Sequence, residues 1–144
     1  MSTASGRTGR TASLVLTLAI IELTLTTAYI HLSLGGTLFT LNAMGYAALA
    51  LAIAISTVWP VGPIGRLAWL PRLGLALYTM ATIGGYLGIG PYFALGWIAK
   101  AIEVAILTLL AADAALRAAR GSFRPESRAA SSPQSGRSPG LGLT

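Results

Sequence analysis

Glu22, His31, Lys100 and Glu103 are ionisable residues set inside otherwise apolar runs, so any chemistry of this chain has to be sought there first. An ionisable side chain at the centre of a bilayer costs about 2.5–3.5 kcal/mol on insertion scales, and each one therefore needs a partner or a task. Lys100 and Glu103 stand at i, i+3, the spacing that places two side chains on one side of a helix and lets them pair. Glu22 lies twelve residues before Leu34, or about 18 Å along a helix, and Glu103 lies eleven residues after Tyr92, or about 16–17 Å. Both depths are close to half of a hydrocarbon core of roughly 30 Å. The spacing predicts an intramembrane polar cluster of Glu22, Lys100 and Glu103. Two acids and one base do not neutralise, which leaves room in that layer for a proton or a further cation. Protons held at such acids serve proton-coupled transport, and the same residues serve equally well as contacts with a partner helix.

His31 lies nine residues after Glu22, half a turn away around the helix at 100° per residue. It shares a face with Thr17, Thr24 and Thr27, whereas Glu22 shares one with Thr26 and Tyr29. Both faces are expected to look at protein. His31 and Asn42 are symmetric about Gly36–Thr37, which predicts an inter-helix hydrogen bond that fixes a hairpin. A lone intramembrane histidine supplies no axial pair for haem. Gly84, Gly85 and Gly88 form a small-residue face that predicts close helix packing. The chain has no cysteine, and no Walker loop, nucleophile elbow or HExxH motif is present. No metal or other cofactor is expected, and the chain reads as a non-enzyme.

The elements that position these residues follow from the apolar runs. Apolar residues make up 54% and charged residues only 10%, against roughly 25% charged in soluble domains, so a soluble fold would leave long apolar runs uncovered. The predicted fold is all-α, an integral membrane four-helix bundle of two antiparallel hairpins. Its helices are expected at about 13–34, 38–59, 71–89 and 92–116, each long enough to cross about 30 Å at 1.5 Å per residue. Gly35-Gly36 and Gly90-Pro91 mark tight turns, and Trp59-Pro60 opens a longer loop. Pro71 suits a first helical turn. Trp59 and Trp69 fit one interface, and Tyr29, Phe39, Tyr92 and Phe93 the other. The first run is too long for a signal peptide and carries Glu22 within it.

Orientation follows from the arginines. Of the ten basic residues, Arg7, Arg10, Arg66, Arg72, Arg117, Arg120, Arg124, Arg128 and Arg137 all fall on one side of the expected bundle, and only Lys100 lies within a span. This predicts a multi-pass cell-membrane protein with both termini cytoplasmic. The net charge of +6 is thereby explained by topology, so no nucleic-acid partner is expected. Residues 1–12 are expected as a cytoplasmic tail, and residues 117–144, rich in Ser, Arg, Pro and Gly, as a disordered basic cytoplasmic tail near anionic headgroups.

Two resemblances bear on these residues. Tyr29-Ile30-His31-Leu32 with Gly35-Gly36, Leu41-Asn42-Ala43 and Gly45-Tyr46, together with Gly96, Lys100, Ile102, Glu103 and Val104, resemble small prokaryotic four-helix membrane proteins of unknown function. That resemblance covers the membrane region and implies no activity. Glu22 followed by Thr26 and Thr27 is similar to the first helix of the small multidrug resistance transporters, and the likeness implies Glu22 as a coupling acid. It covers about six residues, and Lys100, Glu103 and the strong charge bias depart from the pattern. The first expectation is a non-enzymatic accessory or assembly component, in contact with the lipid bilayer and with a partner membrane protein or its own copies. The alternative is an oligomeric proton-coupled transporter of small molecules or ions that uses Glu22 and Glu103.

Overall fold

The computed structural model describes residues 3–90 and 92–122, all helical apart from short connections. The helices are α1 (Thr3–Leu34), α2 (Thr37–Val58), α3 (Gly62–Arg66), α4 (Leu70–Ile89) and α5 (Ala94–Ser122). The segments Gly9–Leu34, Thr37–Val58 and Ala94–Arg120 are long and apolar enough to cross a membrane. The third expected span, α4, has 20 residues and is not among these segments; Arg72 and four glycines lie within it.

Each break has a local cause. Gly35 and Gly36 take positive φ angles of 70° and 83°, a conformation that side chains with a Cβ rarely adopt, and so the chain reverses between α1 and α2. Pro60 has no N–H to continue a helix and biases Trp59 away from helical angles, so α2 stops at Val58. The expected loop that follows contains one short helix, α3, with a proline in its first turn. Pro71 likewise lies in the first turn of α4.

Two boundaries differ from those expected. Helix α1 begins at Thr3 rather than near Ser13, and α5 continues to Ser122, past Leu116. The end of the apolar run is therefore not the end of either helix. The alanine-rich stretch after Leu110 propagates α5 readily, and the Arg120 guanidinium donates to the Gly9 carbonyl, tying the extensions together. The tail expected as disordered lies, beyond Ser122, outside the described residues.

Helix α1 packs against α2 and α5, α2 against α4, and α4 against α5. The apolar core contains Ile20, Tyr46, Ile53, Leu75 and Ile106. The polarity is otherwise inverted relative to a soluble domain. Thr17, Thr24, Thr27, His31, Thr79, Lys100, Glu103 and Asp113 are buried, while Leu18, Leu25, Leu41, Leu51, Leu77, Met80, Ile98 and Val104 are exposed. Water would penalise such a surface and lipid would not.

A buried polar cluster joins the four long helices

The site is built outward from Glu103, which is 0% exposed. It stands nine residues into α5, about 14 Å from the Gly35/Gly90 end of the molecule. Lys100, one turn earlier, donates to both carboxylate oxygens, with Nζ–Oε1 at 2.7 Å and Nζ–Oε2 at 2.6 Å. A further bond from Nζ reaches the Thr82 carbonyl on α4 at 3.3 Å, and the ammonium sits 5.5 Å from the centre of the Tyr86 ring. The ion pair expected from the i, i+3 spacing is therefore present and is enclosed by neighbouring helices.

Helix α4 supplies a second donor. The Thr82 hydroxyl lies 3.1 Å from Glu103 Oε2 and 2.9 Å from the Thr79 carbonyl. A hydroxyl has one hydrogen to give. When Thr82 gives it to the carboxylate, the Tyr46 hydroxyl on α2, 2.7 Å away, is the donor to Thr82. A relay of hydrogen bonds then runs Tyr46 → Thr82 → Glu103. Tyr46 is fully buried, held edge-on against Tyr78 with ring centres 5.0 Å apart.

Helix α1 contributes His31, three residues before its last residue, Leu34. Helical side chains lean towards the N-terminus, so His31 on α1 and Glu103 on the opposed α5 lean towards each other. His31 Nδ1 lies 2.8 Å from the Thr27 carbonyl, which can only accept, so this nitrogen carries a hydrogen. Nε2 consequently faces Glu103 Oε1, at 3.8 Å. Among the described residues, the Thr27 hydroxyl oxygen is buried without a hydrogen-bond partner.

Glu22 is not part of this cluster. It is exposed on the outward face of α1, in a shallow groove with Leu18, Ile21, Leu25, Thr26 and Tyr29. The half-turn between Glu22 and His31 decides this, since α1 can turn only one of its two polar faces to α2 and α5. The threonine and histidine face is the buried one. The third ionisable group of this cluster is thus His31, and the expected layer of two acids and one base becomes one acid, one lysine and one histidine.

The expected His31–Asn42 bond is not formed. His31 is engaged by Thr27 and Glu103, and Asn42 Oδ1 accepts from the Tyr78 hydroxyl at 3.0 Å, tying α2 to α4 rather than to α1. The expected glycine face is not a packed interface within the chain either. A Cβ on Gly84, Gly85 or Gly88 would meet nothing within 4 Å. Close approach occurs instead at Gly45, where a Cβ would collide with the Tyr78 hydroxyl, and at Gly96, where it would collide with Tyr86.

A second cluster lies at the opposite end, around a buried carboxylate with no expected role. Asp113 is 1% exposed, and its Oδ2 accepts from Arg72 Nε at 3.1 Å and Arg117 Nε at 2.8 Å. Arg72 also donates to the Ala68 carbonyl at 2.8 Å. Asp113 thereby fastens the start of α4 to the last turns of α5. The i, i+4 spacing of Asp113 and Arg117 was a usable signal. Tyr46 and Thr82 had no comparable mark, being one tyrosine and one threonine among several in apolar helices.

Among the described residues, no group of three or more His, Cys, Asp or Glu converges as metal ligands would. Comparison with known protein families, curated proteins and solved structures finds no match to this chain.

Proposed function

We propose that this chain is a multi-pass cell-membrane protein of four spanning helices, non-enzymatic, that acts as an accessory or assembly component. The outward apolar residues and the buried polar ones support insertion, with α4 as the fourth span, shielded on two sides by α2 and α5. Arg66, Arg72, Arg117 and Arg120 lie towards one end, which favours both termini on the cytoplasmic side.

The observation that carries the reading is the enclosure of the Lys100–Glu103 pair. Its direct partners come from α1 and α4, Tyr46 of α2 stands one hydrogen bond further out through Thr82, and Glu103 has no exposed surface. Charge held this way fixes how helices meet. The proton-coupled alternative asked Glu22 and Glu103 to work together, and they lie on opposite sides of α1. Purified protein in proteoliposomes tests the reading by proton flux under an imposed pH gradient. Wild type, Glu22→Gln and Glu103→Gln are all expected to match empty liposomes. Flux in the wild type that either substitution abolishes would overturn the reading in favour of transport.

A further inference from the structure

Glu22 is exposed near the middle of the Gly9–Leu34 segment, and no ion pair or hydrogen bond to its carboxylate forms among the described residues. The neighbouring Thr26 hydroxyl does not help, because it donates to the Glu22 backbone carbonyl at 2.9 Å. Around the carboxylate, Leu18, Ile21, Leu25 and Tyr29 recur at three- and four-residue steps and line a shallow groove. That is the seam on which one helix receives another.

We infer that this groove receives a transmembrane helix of a different membrane protein, one that carries a lysine or arginine at mid-span. The inference rests on the membrane reading above and names the partner's chemistry. Charge complementarity selects that partner. Among the described residues there is no mid-span base to spare: Lys100 is engaged by Glu103, and Arg10, Arg66, Arg72, Arg117 and Arg120 lie towards the helix ends. A second copy docked through the same groove would set carboxylate against carboxylate. A foreign helix with a basic side chain at the depth of Glu22 meets both the charge and the apolar seam, since a buried acid–base contact needs each group to find its counterpart.

The test uses the full chain, which contains no native cysteine and accepts a donor dye at a cysteine introduced at Ala12, exposed and clear of the groove. It is reconstituted in phosphatidylcholine vesicles with acceptor-labelled leucine-rich spanning peptides that carry Lys, Leu or Glu at the centre. Energy transfer reports association. The Lys peptide is expected to bind about tenfold more tightly than the Leu peptide, the ratio given by 1.4 kcal/mol. Glu22→Gln should reduce it to the level of the Leu peptide, and Glu22→Lys should transfer the preference to the Glu peptide. Equal binding of the Lys and Leu peptides would overturn the proposal. So would energy transfer between two labelled copies that Glu22→Gln abolishes, because the groove would then serve self-association. Proton flux in the liposome assay bears on the preceding reading alone, so the two failures are distinguishable.

Discussion

Glu22 and Glu103 lie at similar depth, about 18 Å and 14 Å from the ends of their helices at the same side of the molecule, yet their surroundings have little in common. Glu103 is enclosed, with Lys100, Thr82 and His31 around it. Glu22 faces outward among leucines, without a partner of its own among the described residues. Depth sets what a carboxylate costs, and the face of the helix sets what can offset that cost. For Glu103 the fold itself offsets it, and four helices are held in register as a result. For Glu22 no described residue offsets it.

Substitutions at the enclosed site should have the largest effects. Glu103→Leu leaves the Lys100 ammonium buried and unpaired and is expected to cost about 3–5 kcal/mol, read as a lowered midpoint of thermal or SDS-induced unfolding in mixed micelles. The double substitution Lys100→Met/Glu103→Leu removes both charges and should be more stable than either single variant. A double variant as unstable as the singles would show that the pair does not act as a unit.

A smaller loss is expected at the opposite end. Asp113→Ala leaves Arg72 Nε without its acceptor, although Nη1 keeps the Ala68 carbonyl, at a cost of about 1.5–3 kcal/mol, typical of hydrogen bonds to charged groups. Arg117, nearly half exposed, contributes about 0.5 kcal/mol to the same cluster. Arg117→Ala should therefore barely shift the unfolding midpoint that Asp113→Ala lowers.

The glycines give a matched test of packing. Gly45→Ala forces Tyr78 to move from Asn42 and should cost about 1–3 kcal/mol. Gly84→Ala meets open space and should leave the isolated protein no less stable, as helix propensity favours alanine. Unfolding midpoints of the two variants would reverse in order if α4 presented the Gly84 face to its neighbours. Last comes Glu22→Gln, expected to change intrinsic stability by no more than about 0.5 kcal/mol, as for surface positions. A large loss there would place Glu22 inside.

The helices and the positions at which they break were legible because glycine and proline act locally, at Gly35-Gly36 and at Trp59-Pro60. The Lys100–Glu103 pair was legible for the same reason, since its spacing lies within one helix. What was not legible depended on the rotation of one helix against another. The two polar faces of α1 could be seen, but which of them turns inward is decided by α2 and α5. Asn42 was assigned to the nearest helix in sequence, and it bonds to Tyr78 because α2 also packs against α4. Gly45 and Gly96 carry the close approaches for which Gly84, Gly85 and Gly88 looked better suited. Asp113 is a different case. Its pairing with Arg117 was visible as a spacing, but the residue lies at the end of an apolar run, where charge calls for no explanation.

The contrast between the two carboxylates is tested most directly by chemical access from lipid. Protein in phosphatidylcholine vesicles, treated with a hydrophobic carbodiimide and digested, is analysed by mass spectrometry for adducts at each acid. The account predicts modification at Glu22 and none at Glu103 while the protein remains folded. Modification of Glu103 at a rate equal to or above that of Glu22 would contradict it.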